Sequence, residues 1–290
     1  LPSISGLLAC WVCRNSKKKL IIELVGCPFD SYWGFGNIKG RLLAIFMFLF
    51  TKFYISNCQN IHYVTKGFLQ NRYPTKATNI LESSDVEIIL DQRNLSNRIN
   101  RLSASELTEI NLGMIGNYES KYKGYETAFR ALELVRNKSS VIFQIYIVGG
   151  GDKKKLLELA NKYNVLDLIH FEGVKDHPHG IYEWLYEVDI FLQPSEAEGL
   201  PRSLIEAMSS GCACIGSNVG GIPELLDSNN LIEPKDYLGL SMRIISLSKR
   251  STLIMNSNKN FHKAKEFDYH QLKKKKLEFY RVVKEENSKK

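Results

Sequence analysis

Residues 193–224 constrain the fold more than any other stretch of the chain. Asp189 to Leu192 reads as the end of a buried parallel strand. Pro201 suits the first turn of a helix, where its missing N–H costs nothing. Leu204, Ile205, Ala207 and Met208 then form an apolar face, and Gly211 is placed to end the helix. Cys212 to Gly216 is a short buried strand, and Gly220-Gly221-Ile222-Pro223 is expected to open another helix. Two strand-to-helix turns thus lie side by side at the carboxyl edge of one sheet, which calls for a parallel α/β architecture.

Ligands of open α/β sheets bind at that edge, and helix N-terminal N–H groups favour phosphate there. Glycines let backbone approach a ligand closely. Glu198 lies in the loop before the helix. At about 3.6 residues per turn, Glu206 falls early within it. Both carboxylates are placed to face one cleft and accept hydrogen bonds from hydroxyls. The pattern suits a nucleotide sugar, with backbone amides for the diphosphate and carboxylates for hydroxyls. The competing reading makes Glu206 a solvated helix residue and Glu198 ordinary loop charge.

From Glu109 onward the alternation is regular. Apolar strands over 110–115, 141–148, 168–171, 189–192 and 212–216 alternate with amphipathic segments over 124–136, 153–163, 181–187 and 202–210. Parallel βαβ units with right-handed crossovers follow. Gly149-Gly150-Gly151 makes a further glycine turn after a strand. The GxGxxG spacing is absent, so a dinucleotide fingerprint is not supported. His170, His177 and His179 do not form a spaced metal set, and His177-Pro178-His179 reads as a loop. Segments 238–248 and 267–284 read as helices, the second long and basic.

The 290 residues, 44% of them hydrophobic, are enough for one large or two modest cores. No apolar run reaches the roughly 18–20 residues of a membrane span. The nearest, Leu42 to Phe50, suits a buried helix, with a membrane-touching helix as the sharper alternative. Six cysteines include one CxxC, Cys10 and Cys13, without a second pair, so neither zinc nor a disulfide framework is indicated. The net charge is +8, with basic clusters at 17–19 and 273–276. No nucleic-acid recognition motif accompanies them. Anionic donors and anionic lipid headgroups are better partners, and plain solvated faces are the alternative.

The run Glu198–Glu206–Gly220-Gly221–Glu224 resembles the donor-binding signature of the retaining glycosyltransferases of family 4, the glycosyl transferases group 1. The resemblance implies a GT-B fold: two Rossmann-like doubly wound domains facing a cleft, with the C-terminal one holding a nucleoside-diphosphate sugar. It also implies transfer to an acceptor hydroxyl with retention and without a metal or other cofactor. Matched residue by residue, Glu198 lies beside the donor sugar, Gly199, Leu200 and Pro201 offer contacts to sugar and phosphate, and Glu206 holds the ribose. Gly149, Gly150, Gly220 and Gly221 belong to the same donor-binding edge. Lys123-Gly124 matches the pair that serves the diphosphate, making Lys123 catalytic with Glu198.

Two positions depart from the pattern. Asn117 stands where relatives carry an Arg, with Lys121 as a nearby replacement. Val25 stands where many carry a histidine, with Asp30 or a plain turn as readings of the residues that follow; His62 reads as a strand histidine. The first half shows few strands, at 20–25, 53–55, 62–64 and 86–90, and the expectation is a first domain lacking its first strands. The expected division is 1–107 as a partial acceptor-side domain, 108–265 as the donor domain and 266–290 as a helix returning to the first. A polar linker is expected over Ser96 to Glu109. A sugar or lipid-linked acceptor, peripheral membrane contact and a cytoplasmic site at the inner membrane face complete what the resemblance and the basic surface imply. A non-hydrolysing sugar-nucleotide epimerase, an inactive nucleotide-sugar-binding remnant and a nucleic-acid binder are the alternatives.

Overall fold

The computed structural model describes residues 1, 3–13, 20–34, 37–88, 90–104 and 107–288. The basic cluster at 17–19 lies outside them. The first half runs α1 (Ile4–Cys13), β1 (Ile21–Leu24), α2 (Pro28–Trp33), α3 (Ile38–Ser56), β2 (Asn60–Tyr63), α4 (Phe68–Arg72), β3 (Asn79–Glu82) and α5 (Gln92–Ala104). Its strands form a parallel sheet in the order β1-β2-β3.

The second half continues with β4 (Glu109–Ile115), α6 (Tyr125–Arg136), β5 (Ile142–Val148), α7 (Lys154–Lys162), β6 (Ile169–Gly173), α8 (His179–Glu187) and β7 (Ile190–Gln193). It closes with α9 (Arg202–Ser209), β8 (Ala213–Ser217), β9 (Leu231–Ile232), α10 (Tyr237–Leu247), α11 (Arg250–Ala264) and α12 (Tyr269–Ser288). These strands form a parallel sheet ordered β6-β5-β4-β7-β8-β9. Helix α12 returns to the first half, where Phe279 and Val283 pack on Leu81 of β3. The fold is the expected α/β arrangement of two Rossmann-like units.

Strand composition explains the layering. Ile110, Leu112 and Met114 of β4 and Ile145 and Ile147 of β5 join Phe129, Leu132 and Val135 of α6 in a core on one face of the larger sheet. On the other face Phe191, Leu204, Ile205 and Ile222 belong to a cluster that also takes in Ile22, Leu24, Ile61 and Tyr63 of the small sheet. One continuous apolar core therefore spans both units. Full burial of each large side chain contributes roughly 1.5–3 kcal/mol.

The structure departs from several expectations. Residues 53–55 belong to the last turns of α3 and form no strand. The segment around 86–90 contributes only an isolated bridge, Ile88 with Asp268, Ile89 being outside the described residues. Leu42 to Phe50 is helical, but Leu42, Phe46 and Leu49 are exposed, so the helix is not a buried one. The polar stretch expected as a linker from Ser96 is helix as far as Ala104. Gly220-Gly221 leads into a single 3-10 turn, Ile222–Glu224, where a helix was expected. Asp30 lies in α2, paired at 2.9 Å with Arg72. Buried His62, in β2, faces the Ser83 carbonyl at 2.5 Å and takes a structural role.

Two polar clamps join the units. Arg98 of α5 is buried and donates to the carbonyls of Ser210 at 3.1 Å, Val188 at 2.5 Å and Leu185 at 2.6 Å. These are terminal carbonyls of α8 and α9, where a cation is favoured by the helix dipole. Glu224 crosses the other way. Its carboxylate accepts the N–H groups of Lys66 at 2.7 Å, Gly67 at 3.1 Å and Phe68 at 2.8 Å, at the start of α4.

Replacing Arg98 with Ala strands several buried carbonyls, an expected loss of about 3 kcal/mol. Thermal unfolding should then shift down by roughly 6–12 °C. Glu224→Ala removes a charge-assisted acceptor from three amides and is expected to cost about 2 kcal/mol. Limited proteolysis should also show the 65–68 turn cut faster than in the parent, with Glu224→Gln intermediate.

Candidate functional site

Loops leaving the carboxyl ends of β4, β5, β6, β7 and β8 meet at one edge of the larger sheet. The β4–α6 loop supplies Lys123. Its successor Gly124 has φ +74° and lies against the turn after β7, where a Cβ would come within 1.9 Å of the Pro194 carbonyl oxygen. Any side chain there would push the two loops apart. With Gly124 seated, Lys123 Nζ reaches Glu198 Oε1 at 2.8 Å, both side chains being largely buried. Gln193 Nε2 at 2.7 Å and Ser195 Oγ at 2.8 Å donate to the same oxygen. Ser203 Oγ of α9 in turn donates to Gln193 Oε1 at 3.2 Å. The carboxylate is thus held by three donors from two loops, the pattern that makes a partly desolvated charge tolerable.

Glu206 lies in α9, its side chain 10% exposed, and Oε1 is 3.0 Å from His177 Nε2. His177 belongs to the loop between β6 and α8. The partners of the two carboxylates, Lys123 and His177, belong to the loops after β4 and β6, strands that lie on the same side of β7 in the sheet order. Glu198 faces the β4 loop and Glu206 faces the β6 loop. Lys123 is a residue that the family resemblance already sets with Glu198, whereas nothing in the sequence signals the partner of Glu206. His177 in particular reads there as a plain loop residue.

The remaining expected residues divide into two groups. Gly199 is wedged against the first unit, where a Cβ would stand 2.4 Å from the Val25 carbonyl oxygen. Gly221 N–H donates to Gly199 O at 2.6 Å, which stacks the 220–221 turn on the 198–200 loop. Leu200 is buried, and Pro201 is the residue that caps α9, one position before its first turn. Among the described residues, no group accepts from the N–H of Gly199, Leu200 or Gly220. Such unsatisfied amides beside a helix N-terminus suit an anion.

The β5 turn is engaged differently. Gly149 N–H is taken by the Gly173 carbonyl at 2.9 Å, and the Gly150 carbonyl accepts from Tyr118 N–H at 2.9 Å. The Gly149 amide therefore ties β5 to β6. Lys121 is exposed and lines a cavity of about 470 Å³ with Arg130, Lys155 and Tyr237, and it is not among the donors to Glu198. Asn117 Oδ1 accepts from Glu119 N–H at 2.8 Å, stabilising its own loop. Tyr125, buried in the first turn of α6, lies 3.4 Å from the Asn117 carbonyl. Burial pushes its phenol far above the usual tyrosine range, so it remains a neutral donor.

A second cavity, of about 370 Å³, opens between the two units. Asp30, Phe68 and Arg72 line it from the first, and Glu196, Ala197, Gly220 and Pro223 from the second. Arg72 is stacked between Phe29 and Phe68, 5.3 Å and 5.9 Å from the ring centres. Among the described residues, no group of three or more His, Cys, Asp or Glu side chains is placed to share a metal ion.

Residues 109–250 match the model of the family Glycosyl transferases group 1. The chain is 30% identical over 264 residues to Protein CapJ of Staphylococcus aureus, which covers 90% of this chain and 65% of CapJ. It is 29% identical over 140 residues to the putative colanic acid biosynthesis glycosyltransferase WcaL of Escherichia coli K12, across 45% of this chain and 34% of WcaL. The chain thus spans less than two thirds of these relatives. In fold it is similar to Anabaena HepE solved with UDP-glucose, with TM-score 0.72 and 15% identity over 97% of this chain and 76% of HepE. The segment that matches the glycosyl transferases group 1 model contains every loop of the Glu198 cluster, and the likeness to HepE concerns the fold of both units.

Proposed function

We propose that the chain is the donor-binding part, with a portion of the acceptor side, of a glycosyltransferase that moves a sugar from a nucleoside diphosphate to an acceptor hydroxyl with retention. In the reaction the bond between the sugar C1 and the diphosphate oxygen breaks and one to the acceptor oxygen forms. The nucleoside diphosphate leaves and takes up the acceptor's proton. The single observation that carries this reading is the buried Lys123–Glu198 pair, joined by free loop amides at the sheet edge. The Lys123 cation suits the charge that develops on the leaving diphosphate. Glu198 positions the donor sugar, and Glu206 accepts the ribose hydroxyls through the oxygen that His177 leaves free. The interdomain cavity beside Asp30 and Arg72 is assigned to the acceptor, taken as a sugar or lipid-linked sugar. The match to WcaL supports a place in polysaccharide or glycoconjugate assembly.

A second reading, binding without turnover, draws on Asn117 and Val25 standing where relatives carry an Arg and a histidine. Calorimetry with UDP and GDP sugars, run beside an assay for released nucleoside diphosphate, separates the two. Heat without release favours the second.

Lys123→Ala is expected to lower kcat by roughly a hundredfold to a thousandfold. Unchanged turnover and donor affinity would remove Lys123 from the mechanism. His177→Ala is expected to raise the donor KM about tenfold while leaving kcat near the parent, as fits a residue that orients Glu206. An equal fall in kcat instead would place His177 at the reacting centre.

A further inference from the structure

Helix α3 is built inside out. Its buried positions are Gly40, Ala44, Met47, Thr51 and Ile55. Its outer face carries Leu42 at 65% exposure, Leu49 at 57% and the exposed rings of Phe46, Phe50 and Phe53, with Ile45 between them. The spacing 42, 45, 46, 49, 53 is that of one helical stripe. An exposed contiguous stripe of this kind marks an interaction surface. Charge on the same helix is of one sign. Lys39, Arg41 and Lys52 are exposed, the sequence Ile38–Ser56 contains no Asp or Glu, and none of the three cations has an acidic partner among the described residues. Helix α1, in contact with α3, has no charged residue and adds Leu8 and Trp11 at 57% and 66% exposure.

We propose that α3, with α1 beside it, lies in the headgroup boundary of an anionic lipid bilayer. Apolar side chains on one face, an aromatic on the neighbouring helix and cations without acids are the composition of an interfacial helix. At about 1.5 Å per residue, α3 is roughly 28 Å long. No helix of the described residues is long and apolar enough to cross a membrane, so α3 lies on the surface and does not span it. Charge selects the occupant. A second copy docked through the same face would bring two acid-free cationic surfaces together, which like-charge repulsion opposes. An anionic headgroup layer complements that face.

The test is co-sedimentation of the chain with vesicles of phosphatidylcholine alone or mixed with phosphatidylglycerol. Binding is expected to the mixed vesicles only, and to weaken with salt. The double variant L49E/F50E should abolish it. K39Q/R41Q/K52Q should weaken it by about fivefold per cation, roughly a hundredfold in all. Circular dichroism and unchanged thermal unfolding confirm that the variants remain folded, as substitutions at exposed positions should. Failure to bind, equal binding to both vesicle types, or undiminished binding by L49E/F50E overturns the proposal. So does a dimer in sedimentation velocity that L49E/F50E dissociates. None of these measurements depends on the transferase reading, which nucleotide-sugar calorimetry tests separately.

Discussion

The Lys123–Glu198 contact depends on a close approach of backbone to backbone, between Gly124 and the carbonyl of Pro194. It brings the β4 and β7 loops to a separation that no side chain at position 124 would permit. Only then do Lys123 and Glu198 meet, and only with Gln193 and Ser195 behind it does the carboxylate have enough donors for its burial. A buried ion pair contributes little net stability when its desolvation is counted. What this one supplies is placement. It holds a cation at the carboxyl edge of the sheet, already partly stripped of water, and on the proposed reading an arriving diphosphate meets a charge that need not reorganise.

The same close approach links the candidate site to the way the two units are joined. Gly199 presses on Val25, the 220–221 turn stacks on Gly199, and Glu224 at the end of that turn grips the amides of α4. Glu224 and Glu198 thus belong to two stacked turns, one gripping the first unit and one holding the buried cation. Arg98 and α12 fasten the units at other points, through buried carbonyls and through the Leu81–Phe279–Val283 contact. Relative movement of the units would therefore be felt first at 198–200 and 220–224, the loops assigned to the donor.

Much of the second unit is legible in the sequence because its central strands β7 and β8 are buried throughout, β4 and β5 are largely so, and its helices bury one face. Runs such as Ile145–Val148 and Ile190–Leu192 have few other uses. The first unit is harder to read because local composition and burial disagree. The aromatic and β-branched residues at 53–55 resemble a strand, yet they finish a long helix. The strand at Asn79–Glu82 is short, half exposed and flanked by polar residues, so its apolar content is too small to announce it. Arg98 looks like one more polar residue of a linker until the carbonyl ends of α8 and α9 are placed around it. Glu224 and His177 act across 156 and 29 positions respectively, and nothing in the local pattern carries such contacts. The glutamate spacing indicates a site, whereas the partners that hold those glutamates follow from topology.

The departures from the family pattern bear on how charge is handled. Asn117 turns its side chain into its own loop, and Lys121 is not paired with Glu198. Among the described residues, the cation paired with Glu198 is Lys123. A diphosphate bound at this edge would then be balanced by one lysine, by the free amides of Gly199, Leu200 and Gly220, and by the N-terminus of α9. Amides and helix ends provide fixed partial charges that are already oriented and lose no side-chain entropy on binding. Among the described residues no second cation pairs with Glu198, so the backbone takes a larger share of that balance. Backbone donors can do so only while the loops stay in register, which returns the burden to the glycine contacts that pack them.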